Sequence, residues 1–355
     1  MTDTSSATTP VRGRAGYAGF RAVIKAVATG PRGSRDLTFD EAREATAALL
    51  AGEVSPAQAG AFLIGMRVKG EGAEELAGVA QALRDRAVAL TAGGAAHGRP
   101  LVACAGAFDG VADTPPLGLA AGICAAATGA VAVVESCGGR LGPKHGITVG
   151  DVLAALGGPA RPAAADSEAM LARAGVAVVH AGAALPGWEA LAVTRDEVGL
   201  RGPIHSAEKL VDWFGARRFV VGHTHGGYAG RLLGALERLG AERAVALRGV
   251  EGSDVLRPGR PVAVLSHGAG PVDLPETLGL VLRGDPDPEV AADVTRAVLR
   301  GEDGAGGAAR QAVVLSAAVR LVAGGATADT AEAVRRCAAV LDDGRAAATL
   351  DALLG

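Results

Sequence analysis

Aromatic side chains are scarce in this 355-residue chain: two tryptophans, two tyrosines and six phenylalanines make up 3% of it. A core of this size must therefore be filled by Ala, Val and Leu, which points to closely spaced helices on a sheet. The four cysteines, at 104, 124, 137 and 337, never fall in a CxxC spacing, which excludes the common zinc and redox motifs. No charged and apolar leader opens the chain, and a reduced, cytoplasmic setting is the expectation. No apolar run reaches the roughly 18 residues that cross a bilayer; the nearest, Leu117 to Val134, is interrupted at Gly118, Gly122, Thr128 and Gly129. It reads as a buried helix followed by a strand. A formal net charge of −3 provides no global field for polyanions, so nucleic-acid binding would need a local basic patch.

Length and texture divide what is present. Residues 1–14 are mostly small and polar and read as a disordered tail. From 15 to 92 the pattern is helical. Thr38 with Glu41, and Ser55 with Gln58 around Pro56, spell capping boxes, and Gly52 closes the helix between them. Glycine, alanine and proline at 93–100 mark a linker. Beyond it come short apolar runs ending in glycine, histidine or an acid: LVACAG, AVAVVESCGG, VAVVHAG, RRFVVGHTH, RAVALRGVEG and PVAVLSHG. Strand and helix alternate there, the signature of a mostly parallel sheet with ligands at the carboxyl ends of its strands. The expected architecture is α/β: a small helical lobe at 15–92, with a return segment around 163–208, and a larger α/β lobe at 98–160 and 210–355.

Four loops carry chemistry. Asp109 and Gly110, after the first strand, form either an ordinary Asp-Gly turn or a ligand loop with Gly106. Arg140, Lys144, His145 and Gly146 lie in a glycine-rich stretch ahead of a helix, where backbone amides and a cation suit phosphate; the alternative is a βα connection with solvated charges. His205 and Lys209, four apart, share one face of a helix if one starts at Pro203. His223 and His225, two apart, could ligate a metal, although no matching acid or cysteine motif accompanies them. Trp188, Trp213, Phe214 and Tyr228 are the available stacking platforms, at least half of them expected in the core.

The stretch LTFDEAREATAALLAGEVSPAQAGAFLIGMRVKGEGAEELAGVAQALRDRA, residues 37 to 87, closely resembles the helical lobe of anthranilate phosphoribosyltransferases, which share their architecture with pyrimidine nucleoside phosphorylases. The resemblance continues to about residue 265. It implies two lobes, dimers through the helical one, and phosphoribosyl pyrophosphate with magnesium in the cleft. The family's Cys-Gly-Thr-Gly-Gly-Asp-Gly corresponds to Cys104–Gly110, in which Asp109 and Gly110 survive, while Pro115, Leu117 and Gly118 stand where the family has Asn, Ser and Thr. Its Lys-His-Gly-Asn is absent after the second strand, and Lys144-His145-Gly146 comes about nine residues later. Of its Asp-Glu magnesium pair Asp254 remains, next to Val255, with Glu251 as the nearest second carboxylate. Arg201, His205, Ser206, Lys209 and Leu210, with Pro143 to Gly146, resemble a divergent branch of the superfamily.

These readings lead to a glycosyl- or phosphoribosyl-transferase-like protein binding a sugar phosphate or other phosphate between the lobes, with the anthranilate reaction lost. Asp109 and His205 are the candidate catalytic groups, with His180 a further candidate to orient the acceptor. Gly106, Gly110, Arg140, Lys144, His145, Gly146, Arg201 and Lys209 are the candidate phosphate ligands, and Asp254 and Glu251 the candidate magnesium ligands. The alternatives are a single-stranded nucleic-acid binder on the same scaffold and a scaffold dimer without ligand chemistry.

Overall fold

The computed structural model describes residues 18–92, 98–257, 264–275, 282, 287–302 and 307–355. The expected tail at 1–14 and most of the expected linker lie outside the described residues.

Four helices open the chain: Phe20–Ala28, Phe39–Leu50, Pro56–Lys69 and Ala73–Arg86. Both capping boxes form as the sequence spells them. The Thr38 hydroxyl accepts from the Glu41 amide while Glu41 accepts from the Thr38 amide, and Ser55 and Gln58 do the same. Each such cap satisfies amides that a helix start leaves bare. Gly78 allows the second and fourth helices to touch, since a Cβ there would lie 2.2 Å from the Phe39 carbonyl oxygen. Any larger residue at 78 would force the pair apart.

Six strands build one sheet: β1 Leu101–Ala105, β2 Ala132–Cys137, β3 Val176–His180, β4 Arg218–Gly222, β5 Arg243–Leu247 and β6 Val264–His267. Their order is β3-β2-β1-β4-β5-β6, parallel except for β6, which runs antiparallel to β5. Side chains alternate between two apolar cores. Val102, Cys104, Val133, Val220 and Val245 face the C-terminal helices Pro288–Leu299, Ala308–Gly324, Thr330–Asp342 and Arg345–Leu354. Ala103, Ala105, Val134, Val179 and Val221 face the helical lobe and the helix Tyr228–Arg238. The broken apolar run resolves as read, into helix Gly118–Ala127 and then β2.

The segment 163–208 divides. Helix Ala164–Ala174 packs on β3, which is a strand of the sheet, so this part stays with the α/β lobe. Only the later part, helices Trp188–Val198 and Pro203–Ala207, returns to the first four helices. Among the described residues no helix is long and apolar enough to cross a membrane.

Strand order also creates an opening. The chain goes from β1 outward to β2 on one side and from β4 outward to β5 on the other, so the loops after β1 and β4 diverge and leave a crevice between neighbouring strands. That switch point is where an open α/β sheet can receive a ligand.

Candidate functional site

A cleft of about 530 Å³ opens at this switch point, between the loops after β1 and β4, helix Pro56–Lys69 of the helical lobe, and the return segment. Among the described residues, five cationic side chains line it, Arg67, Lys144, Arg201, Lys209 and Arg231, against one carboxylate, Asp109. Three of the five, Lys144, Arg201 and Lys209, were candidates on sequence grounds. Arg67 and Arg231 belong to helices of different lobes and have no local motif around them.

Asp109 is buried, and both its oxygens are taken by Arg201: Nε to Oδ2 at 2.8 Å and Nη2 to Oδ1 at 2.7 Å. Such a fork fixes the guanidinium plane and uses up the carboxylate. The Arg201 carbonyl in turn accepts from Arg67, which ties the helical lobe to the α/β loop. Gly110 and Gly146 hold the floor together. Gly110 has φ 77°, a Cβ there would lie 2.3 Å from the Gly146 carbonyl carbon, and the Gly146 amide donates to the Asp109 carbonyl.

His205, expected as a catalytic group, lines the cleft with both ring nitrogens on the backbone. Its Nδ1 accepts from the Gly202 amide at 3.2 Å, which leaves Nε2 as the protonated nitrogen, donating to the Gly142 carbonyl at 3.3 Å. Burial, with Arg195 nearby, pushes the imidazole well below its usual range. Both nitrogens are spent on the backbone, so His205 pins the return segment to the loop at Gly142. Lys209, by contrast, keeps a donor in reserve. Its ammonium binds the carbonyls of Gly222 at 2.8 Å and Gly252 at 3.0 Å, and an ammonium has three N–H groups. Burial pushes its pKa down to about 8.

Other candidates separate from the cleft. Arg140 is half-exposed and pairs with Asp151 at 3.2 Å. His145, in the left-handed region at φ 51°, pairs with Asp196 at 3.0 Å. Neither lines the cleft, so the expectation that both cradle phosphate there is corrected. His180 also stays outside, its Nδ1 accepting from Gly182. His223 and His225 do line the cleft, but His223 Nδ1 donates to the His225 carbonyl, and among the described residues the two belong to no cluster of metal-ligating groups. Trp188 and Trp213 are core residues, 2% and 3% exposed. Trp188 Nε1 donates to Glu208, which also holds the buried Arg195 in a two-bond fork.

Residues 21–87 match the model of the glycosyl transferase family, helical bundle domain, and residues 110–347 match the a/b domain of the same family. The chain is 36% identical over 358 residues to an anthranilate phosphoribosyltransferase of Methylobacterium nodulans, covering 94% of this chain and 98% of that protein. The chain belongs to the anthranilate phosphoribosyltransferase superfamily. A relative from Rubrobacter xylanophilus carrying the same name is 31% identical over 89% of this chain and 92% of its own length. Among solved structures, the anthranilate phosphoribosyltransferase of Thermus thermophilus superposes with a TM-score of 0.77 at 30% identity, covering 90% of this chain and 95% of that one. The Saccharomyces cerevisiae enzyme, described in complex with PRPP and Mg, shares the fold at 15% identity, with a TM-score of 0.72 and coverage of 94% and 95%.

Gly106, Gly118, Ser136 and Asp254 line only a narrow crevice of about 20 Å³. Behind it Asp254 and Glu135 are both buried and share one cation, Arg320 of helix Ala308–Gly324. Arg320 donates to Glu135 Oε1 through Nε at 3.0 Å and Nη2 at 2.8 Å, to Asp254, and to the Ser316 carbonyl at 3.0 Å. Burial pushes the Glu135 carboxyl up to about 8. Cys104, Glu135 and Asp254 bring three ligand atoms within 4.8 Å of one another, yet the guanidinium already sits on two of them. Magnesium needs six oxygens in a near-octahedral shell and access to substrate phosphate. Asp254 is tied to Arg320, while Glu251 is tied to Lys144 and to the loop after β1. Asp254 and Glu251, expected together as the magnesium ligands, thus point to different partners, and the acidic group that does converge is Cys104, Glu135 and Asp254.

Proposed function

We propose that this chain is a phosphoribosyltransferase-like protein whose cleft binds a multiply anionic phosphorylated small molecule, a sugar phosphate, without a divalent metal, and that it does not perform the anthranilate reaction of its relatives. The observation that carries the reading is the charge of the cleft: five Arg and Lys side chains, with the carboxylate of Asp109 already clasped by Arg201. In a partly water-excluded cavity such an excess selects anions. The volume, about 530 Å³, suits a ligand of nucleotide or sugar-phosphate size. Support for the lost anthranilate reaction comes from Pro115, Leu117 and Gly118 in place of the family's polar residues and from Arg320 on the carboxylate pair.

A pentosyl transfer needs charge on the departing phosphate and a positioned acceptor more than it needs a strong nucleophile, because its transition state is oxocarbenium-like. Arg231, stacked 5.4 Å over Tyr228, Arg67, and the reserve N–H of Lys209 are the groups we assign to the anion. A homodimer through the helical lobe is part of the proposal, supported by Val68 and Val193, which that lobe leaves 79% and 61% exposed. The nucleic-acid alternative finds less support, since among the described residues Tyr228 is the one phenyl-type ring in the cleft besides the buried Phe108, and base stacking wants several.

Calorimetry tests the reading. Ribose 5-phosphate and phosphoribosyl pyrophosphate should bind equally well with magnesium or with a chelator, and Arg231→Ala should weaken them by about tenfold, ~1.4 kcal/mol. Turnover of anthranilate with phosphoribosyl pyrophosphate and magnesium would overturn it. Salt-sensitive binding of a single-stranded oligonucleotide without any sugar-phosphate heat would support the alternative instead.

A further inference from the structure

His223 is the first residue after β4, and two bonds hold it there. Its amide donates to the Leu247 carbonyl, at the end of β5, at 3.0 Å. Its Nδ1 lies 3.1 Å from the His225 carbonyl, and since a carbonyl only accepts, Nδ1 carries the hydrogen and Nε2 a lone pair. His223 lines the cleft and is only 5% exposed, yet among the described residues nothing bonds to Nε2. A buried acceptor left bare is costly and calls for an explanation. Charging the ring does not supply one. Burial, with Lys209 and Arg248 nearby, pushes the imidazole below its ordinary range, although the His225 carbonyl works the other way.

The charged groups around it are donors. The cleft's five cations offer N–H groups, Asp109 has both oxygens on Arg201, and the Tyr228 hydroxyl donates to Glu71. Those groups recognise negative charge and leave the neutral, hydroxyl-bearing part of a ligand to others. We propose that Nε2 of His223 accepts a hydrogen bond from a sugar hydroxyl, which makes His223 the residue that selects a sugar phosphate over a phosphate ester without hydroxyls. This rests on the sugar-phosphate reading of the cleft and adds how the sugar itself is recognised. A ligand lacking the hydroxyl leaves the buried nitrogen bare, and a site of that kind rejects such an analogue more strongly than an apolar wall would. The acceptor is also set beside the charge. Lys209 bonds the carbonyl of the peptide that joins Gly222 to His223, so the cation assigned to the anion and the acceptor assigned to the hydroxyl are fixed to one peptide unit.

The test is titration of the full chain with ribose 5-phosphate and with n-pentyl phosphate, a monoester of the same carbon number without hydroxyls. Wild type is compared with His223→Asn and His223→Gln. Asparagine keeps an N–H for the His225 carbonyl but has no atom at the Nε2 position, whereas the glutamine amide oxygen can reach it. Wild type should prefer ribose 5-phosphate, His223→Asn should cut that preference by about tenfold without changing pentyl phosphate, and His223→Gln should keep part of it. A preference that survives in His223→Asn would overturn the inference. So would an equal loss for both ligands, which would make His223 a loop-shaping residue and nothing more. The cleft reading is judged separately by Arg231→Ala, which should weaken both ligands alike. Binding that depends on Arg231 while the preference ignores His223 would sink this inference alone, and no heat from either ligand in wild type would sink both.

Discussion

The guanidinium of Arg320 meets the carboxylate of Glu135 at 2.8 Å, with both side chains fully out of water. Arg320 comes from a helix made mostly of Ala, Val and Leu, and Glu135 from the middle of a buried strand. With Asp254 they form a charged strut inside an otherwise apolar α/β core. Removing one member of a buried ion pair strands the other, at a cost of about 3–5 kcal/mol. Arg320→Met should therefore destabilise the protein by that order, read from the midpoint of urea unfolding. Adding Glu135→Leu and Asp254→Asn should restore much of the loss, because no unpaired charge then stays inside. A single variant with wild-type stability would show that the cluster does not brace the core.

Glu135 also sets a pH dependence. Its carboxyl titrates near 8 in the folded chain and near 4.3 in the unfolded one. Between these values the folded state binds the extra proton, so stability falls as pH rises. The contribution is fully present below about 4.3 and is gone once pH passes 8. Urea midpoints measured from pH 5 to 8.5 should show this downward slope, and Glu135→Gln, which carries its hydrogen permanently, should flatten it.

Lys209 predicts the pH dependence of binding. Its ammonium is pushed down to about 8 by burial, so sugar-phosphate affinity should decline as pH rises through 8, where a solvated lysine would hold its charge to beyond 10. Lys209→Arg should move the decline upward if it folds. Affinity that stays level from pH 7 to 9 in the wild type would remove Lys209 from the anion's contacts.

His205 should behave as a structural residue. With Nδ1 and Nε2 committed to Gly202 and Gly142, His205→Ala should lower the melting temperature, consistent with about 1–3 kcal/mol for unpaired backbone groups. Any remaining ligand binding should keep the wild-type pH profile. A shifted profile would return His205 to the chemistry.

How much was legible in the sequence depends on distance along the chain. Thr38 and Glu41, or Ser55 and Gln58, lie three residues apart, so each helix start is written where it is read. The strands announced themselves by apolar runs ending in glycine, histidine or an acid and put ligands at their carboxyl ends, whereas the switch point follows from the strand order, which no local run spells. The site is written across long separations instead: 92 residues between Asp109 and Arg201, 107 between Lys144 and Glu251, 185 between Glu135 and Arg320. Asp109 and His205 looked reactive because a sequence displays a functional group without its partners. Once the partners are known, Asp109 and His205 are both engaged within the chain, and of the cations that line the cleft beside them Arg67 and Arg231 had no motif while Lys209 had one.

The scarcity of aromatic rings has a spectroscopic consequence. Both tryptophans lie within residues 188–213, in or just after the segment that crosses from β3 to the helical lobe and back to β4, and both are buried. Neither lines the cleft. Excitation at the red edge therefore reads out the crossing between the lobes alone: emission should stay constant when a ligand merely occupies the cleft and should change when the two halves of the molecule move apart or together, an optical gauge of opening that needs no label.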